Sequence, residues 1–332
     1  MDFPKKPNSF FLLIFGLLVV LSVLWFKPAK DSPSQAVWYD DAEALWELPQ
    51  PENWEVLEET VGPELKIGGH PQKALGRRIV KMQKRHLKQS LVVHFPFGDY
   101  PEHSVPCILV PSGGGNLITG TVPTTNREMM KPYLRRGFVV ISYELSGAIE
   151  ASDARDTQKL SKAYRSYLDV KAGLVNSRNA LEYAIENIEM VDPHKIFIAG
   201  HSSGGSQALL FAAHEPRLAG CVAYCPDTHF SDFDDQALRG LKFLPGIQEF
   251  VIKAAPITHV SRITCPVLLF AVMDDEITPF QEIEAFYLSL RDANSDVMLR
   301  WAEFGGHTQP YRTQGRELGG QWIERIAERT SQ

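Results

Sequence analysis

The stretch KIFIAGHSSGGSQALLFAAHE, residues 195–215, decides the fold. It begins as a short apolar strand, turns through GHSSGG and continues as a helical run. Because the chain must reverse sharply at Ser202, larger neighbouring side chains would collide with the strand and the helix. The G-x-S-x-G pattern alone is weak evidence. Its position between a strand and a helix predicts that Ser202 is an exposed nucleophile.

Residues later in the chain supply the partners that such a serine needs. A serine is a poor nucleophile until a histidine, oriented by a carboxylate, accepts its proton. His307 follows a strand on the glycine loop FGGH, and Asp275 follows the apolar strand PVLLFAVM in the turn DDEITP. Ligand sites of open α/β sheets gather at the carboxyl ends of strands. We therefore predict a triad of Ser202, Asp275 and His307, with Asp274 as the alternative acid.

Two backbone segments are suited to stabilise the oxyanion that forms during acyl transfer. The N–H of Ser203 follows the nucleophile by position. A second donor is expected from SGGGN, residues 112–116, where Gly113 and Gly114 allow close approach of the backbone to a substrate. A flexible turn is the alternative, and a phosphate cradle is disfavoured because the usual Lys-Ser/Thr or G-x-G-x-x-G frame does not accompany the glycines. The sequence predicts an oxyanion hole and no cofactor or metal.

Short apolar runs alternate with long helical patterns between residues 64 and 330, which is typical of a parallel α/β sheet. The predicted strands are 90–95, 105–111, 138–143, 196–199, 219–224, 267–272 and 297–301. Across residues 159–189, apolar residues recur at intervals of three, four and seven, the stripe of a core-packed helix. The segment 226–260 is expected either to form a small cap over an apolar pocket or to pack as helical core. We predict one catalytic domain over 64–330, a mostly parallel twisted sheet with helices on both faces.

The N-terminal region contains an uncharged apolar segment, FFLLIFGLLVVLSVLWF at residues 10–26, with lysines on both sides. Its length lies at the short end of the range for a membrane-spanning helix. A cleaved signal peptide is the alternative, but the following sequence KPAK offers no small-x-small cleavage site. We predict a tail at 1–9, a transmembrane signal anchor at 10–26 and a spacer at 27–63. The chain is then a single-pass membrane protein with its catalytic domain on the non-cytoplasmic side.

The composition is that of a folded domain. Hydrophobic residues make up 44% and charged residues 22% of the chain, and the formal net charge is −6. No pronounced charge asymmetry indicates a nucleic-acid partner. The run of Lys and Arg between residues 77 and 88 is interleaved with apolar residues and is typical of the solvated side of an ordinary element. The four cysteines match neither a disulfide framework nor a zinc pattern.

Taken together, these motifs resemble the catalytic domain of the prolyl oligopeptidase family and its dienelactone-hydrolase-like relatives. The matching stretches are VDPHKI before GHSSGG, APIT before CPVLLF, the DDEITP turn and the GGH loop. The resemblance covers roughly residues 85–330 and implies an α/β-hydrolase fold with Ser202, Asp275 and His307 as the triad. Val272 replaces the usual glycine of the family's G-x-x-D pattern. Full-length members of the family resemble a hydrolase domain capped by a β-propeller, which needs about 40–45 residues per blade. Because no propeller of that size fits between Phe26 and the first predicted strand, we expect neither a propeller nor the size filter that it provides.

These expectations favour a serine hydrolase that acts on small-molecule esters or short peptides. The alternatives are a prolyl-oligopeptidase-like peptidase rather than a carboxylesterase, and a non-catalytic binding protein with a hydrolase fold. The binding protein is disfavoured because all three triad residues are present. The sequence shows no obvious acidic pair placed to hold the N-terminus of a peptide. The acidic residues that could approach the pocket lie in the loop after the predicted strand at 138–143; they are Glu144, Glu150, Asp153 and Asp156.

Overall fold

The structure, a computed structural model, describes residues 55–65, 75–84, 87–96, 98–113, 127–149, 153, 156–230 and 235–329. The strands are β1 (Glu55–Leu65), β2 (Leu75–Lys84), β3 (Leu87–His94), β4 (Val105–Pro111), β5 (Val139–Tyr143), β6 (Val191–His201), β7 (Gly220–Tyr224), β8 (Val267–Val272) and β9 (Val297–Ala302). The α-helices are α1 (Arg127–Leu134), α2 (Thr157–Asp169), α3 (Leu174–Asn187), α4 (Ser203–Ala212), α5 (Asp235–Gly240), α6 (Ile247–Ala254), α7 (Phe280–Ala293) and α8 (Arg316–Arg329). A 3₁₀ helix spans Pro256–Arg262, and a π-helical turn spans Tyr311–Gly315.

The strands of these ranges form one sheet in the order β1-β2-β3-β5-β4-β6-β7-β8-β9. The pairs β1–β2, β2–β3 and β3–β5 are antiparallel, whereas the pairs from β5 through β9 are parallel. The carboxyl ends of β5, β4, β6, β7, β8 and β9 therefore meet at one edge. In open α/β sheets this edge carries the ligand site.

Apolar clusters cover both faces of the sheet. On one face, α1 and α8 contribute buried side chains such as Tyr133 and Trp322. On the other face, α2, α4 and α7 contribute Tyr164, Phe211 and Phe286 to a larger cluster. This layering confirms the predicted mostly parallel sheet with helices on both faces.

The strand predictions hold for β3 through β9, and those at 105–111 and 267–272 agree with the observed bounds. The sequence pattern misses β1 and β2. β1 begins inside the segment 27–63 that we expected to be a spacer, so the sheet begins before residue 64. β2 carries most of the Lys and Arg run, with Lys81 exposed between the buried Val80 and Met82. Charged residues are common on edge strands such as β1 and obscure the apolar alternation there.

The apolar stripe across residues 159–189 forms two helices rather than one. α2 and α3 are separated by a turn in which Lys171, Ala172 and Gly173 have φ values of 50°, 51° and 84°. Both helices bury their apolar residues in the same cluster. The stripe therefore predicts the buried face correctly and the continuity of the helix wrongly.

The described part of the segment 226–260 packs as helical core. It contains α5, α6 and the 3₁₀ helix. Phe250 of α6 is 2% exposed and meets Tyr164 and Tyr167 of α2 edge to face, with ring centroids 5.2 and 5.5 Å apart. These contacts favour the second of the two expectations for this segment.

The predicted anchor at residues 10–26 lies outside the described residues. In the ranges that the structure describes, no helix has both the length and the apolar character needed to cross a membrane.

Candidate active site

Ser202 lies in a strained turn between β6 and α4. Its φ is 57° and its ψ is −132°, values that residues other than glycine adopt rarely. The turn requires glycine at residue 200, because a Cβ there would overlap the backbone of Gly204. The Ser202 N–H donates to the carbonyl of Tyr224 at 2.9 Å, and the Ser202 carbonyl accepts from the N–H of Gly205 at 2.7 Å. Packing and backbone hydrogen bonds thus fix the turn and leave Ser202 half-buried.

His307 is oriented by Asp275. Nδ1 of His307 and Oδ2 of Asp275 are 2.8 Å apart, and both side chains are almost fully buried. Asp275 also accepts from the N–H groups of Ile277 and Thr278 and from the Thr278 hydroxyl, at 2.9, 3.0 and 2.8 Å. Burial raises the pKa of Asp275, but the hydrogen bonds from His307 and from the two N–H groups outweigh burial, and the pKa lies below its ordinary value. The carboxylate is therefore ionised at neutral pH.

The second ring nitrogen of His307 is available as a base. With the proton on Nδ1 donated to Asp275, Nε2 carries the lone pair. Nε2 is buried, and among the described residues it has no hydrogen-bond partner, the hydroxyl of Ser202 included. Catalytic hydrogen bonds are often long in the absence of substrate and shorten in the complex.

Asp274 contacts the backbone of the loop rather than the histidine ring. Its Oδ2 accepts from the N–H of Gly305 at 3.0 Å, and its Oδ1 accepts from the N–H of Gly306 at 2.8 Å. Of the two neighbouring aspartates, Asp275 is the one within hydrogen-bond distance of His307.

His201, the residue before the serine, connects the turn to the His307 loop. Nε2 of His201 is 3.0 Å from the carbonyl of His307, and its ring stacks on Tyr311 at a centroid distance of 4.0 Å. Burial, followed by the neighbouring His307, lowers the pKa of His201 to about 3, so the ring is neutral and Nε2–H is the donor. The sequence gives no signal for this role, since any residue satisfies the second position of G-x-S-x-G.

A cluster of potential metal ligands lies beside the same loop. Nitrogen and sulfur atoms of His201, Cys225 and His307 lie within 4.8 Å of one another. One nitrogen of each imidazole already makes a hydrogen bond, Nε2 of His201 to the His307 carbonyl and Nδ1 of His307 to Asp275. Burial, with Asp275 nearby, raises the pKa of the Cys225 thiol, and a neutral thiol is a poor metal ligand. The chemistry of these groups fits a hydrogen-bonded cluster better than a ligand set.

The two predicted oxyanion segments are partly described. Ser203 is the first residue of α4 and is buried. A Cβ on Gly113 would lie 3.0 Å from the carbonyl of His201, so the end of β4 lies directly against the serine turn. Gly114 lies outside the described residues.

Two of the acidic residues after β5 have structural roles. Asp156 caps α2 and accepts from the N–H groups of Gln158 and Lys159, at 2.9 and 3.1 Å. Asp153 forms an ion pair with Lys159 at 2.7 Å. Glu150 lies outside the described residues. Asp153 and Asp156 are therefore occupied by α2.

Comparison with solved structures identifies the fold. The chain is similar to an acetyl xylan esterase from Paenibacillus sp. R4, with 16% identity, a TM-score of 0.59 and 97% of this chain and 96% of that chain covered. It is also similar to the Pyrococcus horikoshii acylaminoacyl peptidase, with 17% identity, a TM-score of 0.61 and 79% of this chain and 45% of that chain covered. A third similar structure is the esterase Est2 of the Planctomycetes species Thermogutta terrifontis, with 20% identity, a TM-score of 0.52 and 73% of this chain and 86% of that chain covered. At these identities the likeness defines the fold, that of the α/β-hydrolases.

Sequence comparison defines the class and then the family. The class is that of the serine hydrolases. The sequence model of the prolyl oligopeptidase family matches residues 130–327, which is more than half of the chain, so the chain belongs to this family. A shorter match links it to the quorum-quenching protein AidA of Acinetobacter baumannii (strain MDR-ZJ06), 38% identical over 64 residues, which are 19% of this chain and 21% of that protein.

Proposed function

We propose that this protein hydrolyses esters or peptides through an acyl-enzyme on Ser202, with Asp275 and His307 completing the triad. One observation supports this proposal most: the hydrogen bond from His201 brings the loop of the Asp275–His307 pair against the strained serine turn. A buried ring nitrogen without a partner destabilises a fold. The free Nε2 of His307 therefore suits a site that must accept a proton.

In the proposed reaction, Oγ of Ser202 attacks the substrate carbonyl carbon while Nε2 of His307 takes the Oγ proton. Asp275 stabilises the imidazolium through Nδ1. The N–H of Ser203 and a donor from Gly113 or Gly114 stabilise the oxyanion. Nε2 then protonates the leaving alcohol or amine. A water molecule repeats the sequence on the acyl-enzyme, which releases the acid and restores Ser202.

Labelling with a fluorophosphonate probe tests this mechanism without a choice of substrate. The probe should modify the wild-type protein at one site, Ser202→Ala should abolish labelling, and His307→Ala should slow it strongly. Ser289→Ala, at a half-buried position of α7 where the hydroxyl donates to the carbonyl of Ala285, is the matched control and should be labelled like the wild type. Labelling of folded Ser202→Ala at the wild-type rate would contradict the assignment.

We further propose that short-chain esters are better substrates than peptides. The acidic residues Asp153 and Asp156 are engaged by α2 and are poorly placed to hold the N-terminus of a peptide. The matched solved structures include both esterases and acylaminoacyl peptidases, so family alone does not decide the substrate.

The substrate class is tested by kcat/KM for p-nitrophenyl acetate and for alanine- and proline-linked p-nitroanilides, each divided by its uncatalysed rate. The ester should give the larger ratio. A larger ratio for either anilide would make the protein a peptidase by preference.

For the N-terminal segment, we propose that residues 10–26 anchor the chain in a membrane, with the catalytic domain on the non-cytoplasmic side. A chain lacking residues 1–30 retains every described element and should be soluble and active. A mature N-terminus near Pro28 in the full-length protein would instead indicate a cleaved signal peptide.

A further inference from the structure

The loop that carries His307 is held by a carboxylate that does not touch the histidine ring. We propose that Asp274 is a positioning residue, which fixes the Gly305–Gly306 backbone and through it the imidazole of His307. The inference rests on the proposed function. Each oxygen of Asp274 accepts one N–H, from Gly305 at 3.0 Å and from Gly306 at 2.8 Å. Successive N–H groups that converge on one anion form a compact anion-binding turn.

The loop needs such a contact because its two glycines give the backbone a wide range of accessible conformations. Gly305 and Gly306 have φ values of 122° and 64°, which glycine adopts without strain, and glycine has the largest conformational freedom when it is not held. The preceding Phe304 is 76% exposed and adds little packing. Beyond Asp274, the described hydrogen bonds at the end of the loop are those of the His307 ring, to Asp275 at 2.8 Å and to the Thr278 hydroxyl at 3.4 Å, and that of the His307 carbonyl to His201.

The origin of the contact is the geometry at the end of β8. The N–H of Met273 donates to the carbonyl of Ala302 at 2.9 Å, which fixes the chain that leads into both aspartates. Asp275 then points to the ring of His307, and its neighbour Asp274 reaches the loop backbone. Two consecutive residues on a rigid strand end thus orient both the ring and the backbone of one histidine.

Asp274 acts as an anion. The N–H groups of Gly305 and Gly306 lower its pKa below the ordinary value, so the group is ionised throughout the neutral range. An asparagine keeps the shape of the side chain but replaces one acceptor oxygen with an NH₂ group, which cannot accept from a glycine N–H. Asp274→Asn therefore removes the charge and one of the two contacts with the loop, with the least change in volume.

Steady-state kinetics of Asp274→Asn and of a matched control, Glu276→Gln, test the proposal. Glu276 is exposed two residues away, and among the described residues its side chain makes no hydrogen bond, so its variant removes the same charge without touching the loop. Misplacing a catalytic group by about 1 Å costs up to about 100-fold, so we expect kcat of Asp274→Asn to fall about 10- to 100-fold with KM little changed. Asp274→Glu, which keeps a carboxylate, should be less impaired, and Glu276→Gln should match the wild type.

Three kinetic outcomes would overturn the proposal: wild-type kcat in Asp274→Asn, an equal fall in both variants, or a change confined to KM. If Asp274→Asn does not fold, amide hydrogen exchange of the wild-type protein decides. The Gly305 and Gly306 amides should exchange slowly although the loop is exposed, and exchange at the rate of an unstructured peptide would refute the contact.

A separate readout distinguishes failure of this inference from failure of the proposed function. An Nδ1–H proton of His307 that is bound to Asp275, at the 2.8 Å separation of the two atoms, should give a downfield NMR signal. This signal should broaden or shift in Asp274→Asn and stay unchanged in Glu276→Gln, whether or not Ser202 reacts with a fluorophosphonate. An unchanged signal in Asp274→Asn would overturn the positioning role alone.

Discussion

The Ser202 turn and the His307 loop each carry one member of the proposed triad, but they are held in different ways. The turn lies between β6 and α4, and every residue of α4 from Ser203 to Ala212 is buried. The loop follows β9, an edge strand, and begins with the exposed Phe304. Its position depends on side-chain hydrogen bonds to Asp274 and Asp275. Ser202 is therefore placed by the folded core, and His307 is placed by a few polar contacts.

This difference determines what a substitution in each region reports. A change in the turn alters close packing, so it tests the fold together with the activity. A change in the loop removes a hydrogen bond at the edge of the domain, so activity should fall further than stability. The predictions below separate these two behaviours.

The largest effect is expected for Gly200→Ala in the Ser202 turn. The new Cβ would overlap the carbonyl of Gly204, a backbone atom that cannot move aside. We expect a loss of more than about 3 kcal/mol in the free energy of unfolding, together with loss of activity. Gly240→Ala, with no atom within 4 Å of its Cβ, is the control and should unfold like the wild type in a denaturant titration. Equal stability of the two variants would show that the turn is not held by packing.

A smaller effect on the fold and a large effect on catalysis are expected for Asp275→Asn. The amide would favour the wrong tautomer of His307, and the corresponding change in a serine protease triad lowers kcat by about 10⁴-fold. The thermal midpoint of unfolding should fall only slightly, although kcat falls by orders of magnitude. Asp292→Asn, at an exposed position of α7, controls for loss of charge. If Asp274→Asn lowers kcat more than Asp275→Asn, the role of orienting acid moves to Asp274.

The sequence predicts the central fold well because the buried strands are continuous apolar runs. The strands from β4 to β8 are buried along most of their length, which gives them a signal independent of their neighbours. β1 and β2 pair at one end of the sheet, where lysines, arginines and glutamates interrupt the apolar pattern. The break between α2 and α3 depends on residues 171–173, which adopt left-handed φ values. Two of these residues are lysine and alanine, which favour a continuous helix, so the sequence does not indicate the break.

The candidate site is predictable where function constrains residue type and spacing. Motifs predict Ser202, Asp275 and His307 as the triad, and in the structure Asp275 and His307 lie within hydrogen-bond distance of each other. The sequence does not decide firmly between Asp274 and Asp275, because both follow the same strand. Only the folded geometry shows that Asp275 contacts the ring of His307 and that Asp274 contacts the backbone of Gly305 and Gly306. The contact of His201 with the loop depends on a tertiary arrangement that no local pattern encodes.

The smallest expected effect concerns the acid stability of the region behind the Ser202 turn. His214 follows α4 and packs edge to face on His259, with ring centroids 4.7 Å apart, and its Nδ1–H donates to the carbonyl of Leu210. Burial, and then the neighbouring His259, lowers the pKa of His214 from 6.5 to about 4. Between these two values the unfolded chain binds a proton that the folded protein does not. The contribution of His214 to stability is therefore complete above about pH 6.5 and is lost as the pH falls toward about 4.

Thermal midpoints of the wild type and of His214→Gln, measured from about pH 7.5 down to about pH 4.5, test this sign. The midpoint of the wild type should fall more steeply, because glutamine can donate to Leu210 but does not titrate. His194→Gln, at an exposed position, is the control and should keep the wild-type slope. Hydrogen bonds lower the pKa values of Asp274 and Asp275 from their ordinary range, so the two loop carboxylates of the folded protein stay ionised in this window. The contribution of His214 is read from the difference in slope between the wild type and His214→Gln. Parallel curves for the wild type and His214→Gln would mean that the proton uptake responsible for acid unfolding occurs elsewhere.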